Sequence, residues 1–288
     1  MYDYPLYRPP SEANSLIIQA TLGCSHNKCS FCNMYKSKKF TIKSLEDIKR
    51  DIDYFGQIYS NVERIFLADG DALIIPTEDL KEILAYIKEV FRECNKITLY
   101  GSPKSILLKA AQELRELKEL GLSMIYMGVE SGDDEILKDI EKGANSLELV
   151  NAAKKVKEAD ILLSATIIAG IGGKEKSENH AIKTGEIITE MAPDYLGVLT
   201  LMVEEGTNLH GKIINKEFHV LSDKEVLNEI KLLLQHINVK ETVVFRCNHA
   251  SNYISLRGNL PKDKQNLLNQ INYFENTNNL NQEEDRRL

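Results

Sequence analysis

The sequence predicts an α/β protein: a partial (βα)6 parallel barrel of curved sheet, followed by a small C-terminal extension. Three observations predict it. Short runs of branched apolar residues alternate with longer stretches whose apolar residues recur at helical spacing, six times between residues 15 and 210. The intervals between successive strands are long enough for the crossovers that parallel pairing demands. The loops richest in cysteine, glycine and acidic residues follow the C-terminal ends of strands, the edge where parallel α/β folds bind ligands.

Residues 1–14 read as a turn-rich N-terminal arm, 15–210 as the core barrel, 211–274 as an extension closing it, and 275–288 as a disordered, Asn- and charge-rich tail. The first strand, Ser15 to Ala20, leads into a cysteine loop. Ser44 is the N-cap of a helix carrying Leu45, Ile48, Ile52 and Phe55 on one face. Val62 to Ala68 is a strand ending at Asp69-Gly70-Asp71. Pro76 and Thr77 open a helix with Leu80, Ile83, Leu84, Ile87 and Phe91 at helical spacing. A strand from Lys96 to Tyr100 precedes a helix from Ser105 to Leu120, stopped by Gly121. Ser123 to Val129 is a strand ending at Glu130-Ser131-Gly132, followed by a helix from Ser146 to Ala159. Ile161 to Ala169 is a strand ending at Gly170-Ile171-Gly172-Gly173, followed by a helix from Ser177 to Met191. The sixth strand, Asp194 to Met202, ends near Glu204-Glu205-Gly206-Thr207. Beyond it come a helix from Asp223 to Ile237, a short strand from Thr242 to Arg246, the polar stretch Cys247 to Tyr253, and a helix from Asp263 to Phe274.

Composition narrows the class. A hydrophobic content of 43% and a charged content of 27% suit a globular protein, and no apolar run reaches membrane-spanning length. The first residues lack the pattern of a secretory signal, so a cytoplasmic location is expected. The net charge of −7 gives no global attraction to a phosphate backbone and disfavours a long nucleic-acid partner.

Three of the five cysteines, Cys24, Cys29 and Cys32, fall within nine residues. Their odd number and tight spacing argue against disulfides. Clustered thiolates select zinc or an iron–sulfur cluster. A zinc site of Cys24, His26, Cys29 and Cys32 stays open on spacing alone. On a four-iron cluster, three thiolates would leave one iron to hold a small molecule. Of the other two, Cys94 reads as a buried apolar residue. The basic run Lys36 to Lys39 reads as a solvated loop.

Taken together, these motifs resemble the radical S-adenosylmethionine (SAM) superfamily, in its Elp3/MiaB-like branch, over roughly residues 15–210. The resemblance implies a [4Fe-4S] cluster on Cys24, Cys29 and Cys32, with SAM on the open iron. It implies reductive cleavage of SAM to a 5′-deoxyadenosyl radical that takes hydrogen from a substrate, hence an oxidoreductase or transferase. Phe31 stands where the family has an aromatic near the adenine. Asp69, Gly70 and Asp71 stand where a Gly-Gly-Glu loop receives the methionine amino group on its backbone. Glu130 and Ser131 resemble the fourth-strand motif that reaches the ribose. Lys142 stands where a basic residue meets the methionine carboxylate, and Gly170 opens a fifth-strand glycine motif beside the adenine. Two departures weaken the detailed transfer: the spacing is C-x4-C-x2-C instead of C-x3-C-x2-C, and Asp69 replaces a glycine. Asp69 and Asp71 therefore keep a second reading as turn residues, and Glu130 as half of an ion pair.

Absences limit the chemistry. Cys94 and Cys247 are too few to ligate a second cluster, and no cobalamin motif is found. A small-molecule substrate is expected, with an electron donor such as flavodoxin or ferredoxin, in a monomer or homodimer. The stretch Arg246 to Tyr253 is the expected substrate site. His249 and Asn252 are expected to face the cavity near SAM, Arg246 to pair with an anionic group, and Cys247 to be a candidate hydrogen donor. Its other reading is a loop that seals the barrel.

Overall fold

The computed structural model describes residues 2–277 and 279–287. The chain forms two compact units. The first comprises Met1–Asn27, Met34–Met127 and Lys154–Leu163; the second comprises Lys28–Asn33, Gly128–Ala153 and Ser164–Leu288.

In the first unit, β1 (Leu16–Gln19) leads to β2 (Thr21–Leu22), which pairs antiparallel with β3 (Thr41–Ile42) in a separate two-stranded ribbon. Two residues per strand carry no alternation, and the sequence reading did not include this ribbon. Helix α1 (Leu45–Ile58) starts where Ser44 Oγ accepts from the Asp47 amide at 3.1 Å, and it buries Ile48, Ile52 and Phe55 as its apolar spacing predicts. β4 (Arg64–Ala68), α2 (Thr77–Val90) and β5 (Lys96–Tyr100) follow.

The helix expected from Ser105 to Leu120 is two helices, α3 (Pro103–Leu108) and α4 (Ala111–Glu119). At the break, Lys109 is extended and buried, and its ammonium donates to Ile75 O at 2.9 Å and Thr77 Oγ1 at 3.1 Å. Burial lowers its pKa, and those two acceptors offset part of the cost of burying the charge. The chain then reaches β6 (Leu122–Glu130), which places Leu122 to Met127 in the first unit and the rest in the second.

Strands β1, β4, β5 and β6 are parallel neighbours in that order, with Ile17 opposite Phe66, Phe66 opposite Thr98, and Thr98 opposite Met124. Their alternate residues share one face, where Ile17, Phe66, Ala68, Tyr100, Met124 and Tyr126 pack together. The rings of Phe66, Tyr100 and Tyr126 meet edge to face. The N-terminal arm is anchored beside them. Glu12 is fully buried and accepts from the Tyr126 hydroxyl at 2.5 Å, with Arg64 at 3.4 Å and Lys96 at 3.8 Å.

In the second unit, α5 (Asp134–Asp139) is capped by Asp133, whose carboxylate accepts from the Glu135 amide at 2.8 Å. One and a half turns are too short for periodicity to reveal. α6 (Ser146–Glu158), β7 (Leu162–Ala169), α7 (Gly173–Met191) and β8 (Tyr195–Thr200) complete the six expected strands. A short helix not expected from the sequence, α8 (Asn208–Ile214), follows, and then the expected α9 (Asp223–His236), in which Ser222 and Glu225 form a reciprocal capping box. β7 and β8 are parallel, and β9 (Val243–Cys247) continues that parallel run, with Phe245 opposite Leu196. β10 (Leu256–Leu260) closes the edge antiparallel to β9, and α10 (Lys264–Thr277) follows.

The tail corrects an expectation. Arg286 is buried and donates to Ser251 O at 2.7 Å and Leu201 O at 2.8 Å, and its guanidinium lies 4.1 Å from the centre of the Tyr253 ring. The composition of 275–288 suggests disorder, but one planar five-donor group satisfies a carbonyl just past β8 and another in the turn after β9. Asn278 and Leu288 lie outside the described residues. No helix among the described residues is long and apolar enough to cross a membrane.

Candidate functional site

In the first unit, candidate residues gather where β1, β4 and β5 end. Asp69 and Asp71 are both fully buried. The Asp69 carboxylate accepts from Gln19 Nε2 at 3.0 and 3.1 Å, from the Gly23 amide at 2.9 Å and from Lys38 Nζ at 3.0 Å. The Asp71 carboxylate accepts from Ser25 Oγ at 2.5 Å, the Ser102 amide at 3.0 Å and Ser105 Oγ at 2.6 and 2.7 Å. Gly70 lies between them, its amide donating to Gly23 O at 3.0 Å. A Cβ on Gly70 would come within 2.9 Å of the Tyr35 ring and 3.1 Å of Cys24 Cβ, so only glycine lets this turn lie against Cys24. Both carboxylates are thus committed to protein donors, as their reading as turn residues expects, and the backbone of the turn is the part that the resemblance directs to the methionine amino group. Gln19, Ser25, Lys38 and Ser105 complete the arrangement; Lys38 belongs to the basic run expected to be solvated, yet its side chain is 6% exposed and paired with Asp69. Nothing in the chain's spacing links residues this far apart.

Tyr35 adds a buried polar group beside the same turn. It is 4% exposed, and its hydroxyl has no hydrogen-bond partner among the described residues. Burial, reinforced by the nearby Asp69 charge, holds its pKa well above the usual phenol range. The hydroxyl therefore stays protonated and can donate to a bound group.

In the second unit, Cys29, Phe31 and Cys32 are partly exposed. The segment is fixed through Ser30, whose amide donates to Ile140 O at 2.9 Å and whose carbonyl accepts from the Leu209 amide at 2.9 Å. The Cys32 amide closes a turn onto Cys29 O at 3.3 Å.

Glu130 ends β6 in a left-handed conformation, φ +66°, and its carboxylate accepts from Lys142 Nζ at 2.8 Å. A Cβ at Gly128 would fall 2.2 Å from that carboxylate and 2.9 Å from the ammonium, so the glycine makes room for the pair. A strained non-glycine residue at a strand end is a feature that concentrates at ligand sites. Ser131 is buried, its hydroxyl 2.8 Å from His180 Nδ1. His180 Nε2 in turn stands 3.7 Å from Glu229, which accepts from the Gly170 amide at 2.6 Å and from Ser177 Oγ at 2.5 Å. Gly170 has φ +85°. His180 and Glu229 thus join the ends of β6 and β7, and neither stands out in the sequence.

The polar stretch after β9 departs from expectation. Asn252 is buried; its Oδ1 accepts from Thr200 Oγ1 and its Nδ2 donates to Val198 O, both at 2.9 Å. Its carboxamide is used at both ends to fasten the turn onto β8. Arg246 is exposed and donates to Phe245 O at 2.8 Å and Gly258 O at 3.3 Å, opposite Arg257 in the strand register, with no carboxylate bound among the described residues. Cys247 is fully buried, and burial pushes its thiol up to about 12. His249 is half-buried and Nδ1 accepts from the Ser251 amide at 3.1 Å; burial lowers its pKa, favouring the neutral ring. Asn252 thus has its partners on β8, and Arg246 has its partners in backbone carbonyls of β9 and β10.

Whether these residues fit an iron–sulfur cluster turns on the donor set. Among the described residues, no three His, Cys, Asp or Glu side chains are grouped as a single metal ion requires. A multi-iron cluster asks for something else, one soft thiolate per iron. Cys24, Cys29 and Cys32 supply three free thiols from one loop of the sequence, a soft donor set of that kind.

Comparison with known proteins agrees with this donor set. The family model described as the radical SAM superfamily matches residues 18–184. The heme chaperone HemW of Buchnera aphidicola from Acyrthosiphon pisum is 22% identical over 242 residues, covering 78% of this chain and 62% of that protein. The chain thus spans less than two thirds of that relative. Among solved structures, Methanocaldococcus infernus Elp3 has a TM-score of 0.54 at 17% identity, covering 81% of this chain and 58% of the other. The radical SAM methyltransferase TsrM from Kitasatospora setae, solved with cobalamin and a [4Fe-4S] cluster bound, has a TM-score of 0.58 at 15% identity, covering 70% and 39%. The two structures share the fold, and the family match covers more than half of the chain. The chain belongs to the radical SAM superfamily, whose cofactors are a [4Fe-4S] cluster and S-adenosylmethionine.

Proposed function

We propose that this protein is a radical SAM enzyme acting on a small molecule, and that Cys24, Cys29 and Cys32 hold its cluster. The observation that carries the reading is the three-cysteine loop following β1 in a chain of this superfamily. When bound, the cluster supplies one electron to SAM, whose cleavage yields methionine and a 5′-deoxyadenosyl radical able to take hydrogen from a substrate.

The chain's own residues would bind and orient. Glu130, as an anionic acceptor, suits the ribose hydroxyls, and Lys142 suits the methionine carboxylate. Ser131, Gly170 and Phe31 would shape the place of the adenosine. The Asp69 to Asp71 turn would offer backbone carbonyls instead of its side chains, which are already bonded. Tyr35 would donate its hydroxyl to the bound group. His249 remains the candidate nearest the substrate, and Cys247 a weak candidate hydrogen donor because it is fully buried. A small acidic redox protein of the flavodoxin or ferredoxin type would deliver the electron, and a cytoplasmic monomer or homodimer is the proposed form.

The test is metal content after anaerobic reconstitution. The reading expects about four irons and four sulfides per chain, lost on changing any one of the three cysteines to Ala. Stoichiometric zinc without iron contradicts it. A carrier role without turnover is a second reading, favoured by the similarity to a heme chaperone; tight hemin binding with no SAM cleavage would mark it.

A further inference from the structure

We infer that Asp69 and Asp71 form a clamp that positions Cys24, in place of contacting SAM through their side chains. The inference rests on the proposed role of Cys24 as a cluster ligand. Its basis is the pairing of each neighbour of Cys24 with one carboxylate. The residue before it, Gly23, donates its amide to Asp69 at 2.9 Å; the residue after it, Ser25, donates its hydroxyl to Asp71 at 2.5 Å. A third tie, from the Gly70 amide to Gly23 O at 3.0 Å, joins the centre of the turn to the same segment. Three bonds within three residues leave the backbone at Cys24 little freedom.

Both carboxylates are anchored behind the clamp. Gln19 and Lys38 hold Asp69, so that acid also ties together the two ends of the segment carrying the cysteines. The Ser102 amide and Ser105 hydroxyl hold Asp71 from the start of α3. Fully buried acids bonded this way do not reorient cheaply, because a buried carboxylate that loses a donor pays its desolvation. The two departures from the family pattern then explain each other. A loop with one extra residue between its first two cysteines has more freedom at its start, and an aspartate where glycine is usual supplies the additional anchor.

The experiment compares wild type with Ser25→Ala, Asp71→Asn and Asp69→Asn. In the apoprotein, iodoacetamide labelling of each cysteine is timed by mass spectrometry. In the reconstituted protein, the spectrum of the reduced cluster and its resistance to a chelator are measured. Expected are several-fold faster labelling of Cys24 with Cys29 and Cys32 unchanged, a shifted spectrum, and earlier loss of iron. Ser25→Ala removes only a hydroxyl and guards against variants that fail to fold. Equal labelling of Cys24 in wild type and Ser25→Ala overturns the clamp, as does an equal rise at all three cysteines. A wild-type chain that takes up no iron contradicts the ligand role of Cys24 instead, and the labelling arm still decides the clamp.

Discussion

Glu130 and Lys142 are bonded to each other at 2.8 Å, both side chains about nine-tenths buried. They are the acid and the base that the proposed function directs to two different parts of SAM. A pair built only for stability would leave ligand affinity untouched when broken. A pair poised for a zwitterionic ligand would exchange partners on binding. Glu130→Gln and Lys142→Met are expected to weaken SAM binding about 10-fold each, about 1.4 kcal/mol, with the cluster retained. Titration calorimetry on the anaerobic protein checks this; a lowered melting temperature with unchanged affinity assigns the pair to stability alone.

Glu229 should act on the fold of the β7 end. It accepts the Gly170 amide and the Ser177 hydroxyl while 4% exposed. Glu229→Leu leaves both donors unsatisfied and is expected to cost about 2–4 kcal/mol in denaturant unfolding. A cost below about 0.5 kcal/mol would show that these bonds are replaced by water.

Asn252 and Thr200 should behave as one unit. Asn252→Ala and Thr200→Val are each expected to destabilise by about 1–3 kcal/mol, and the double variant by clearly less than the sum. Additive losses would mean the 2.9 Å bond between them contributes nothing of its own.

Cys247 gives a pH prediction. Its folded-state value, pushed up to about 12, lies above the ordinary value of 9.0 that the unfolded chain would show. Above pH 9 the unfolded chain loses this proton first, so the contribution to stability is complete below pH 9 and declines as pH rises toward 12. Cys247→Ser or Cys247→Ala should flatten stability over that alkaline window. In native wild type at pH 8, a thiol reagent should leave Cys247 unmodified; rapid modification contradicts the burial.

The strands were legible because runs such as Ile65 to Ala68 and Leu162 to Ala169 are apolar, branched and bounded by glycine or acid. The placing of cysteines, Asp69, Glu130 and Gly170 at strand ends was legible for the same reason. What those side chains bond was not. Asp69 meets Gln19 and Lys38, 50 and 31 residues away, and Asn252 meets Thr200, 52 away; no local period encodes such pairs. Strand β10 was missed because Arg257, Gly258 and Asn259 look like a loop, and only an edge position tolerates them. The break at Lys109 was missed because lysine is a good helix former, and its buried acceptors lie on another element.

The proposed activity is turnover of SAM through the three-cysteine loop. The most direct measurement is chromatographic detection of 5′-deoxyadenosine and methionine after anaerobic reduction of the reconstituted protein with SAM. Formation of both products in equal amounts, abolished by Cys29→Ala, is the predicted result. No cleavage by a protein carrying its full complement of iron would rule that activity out.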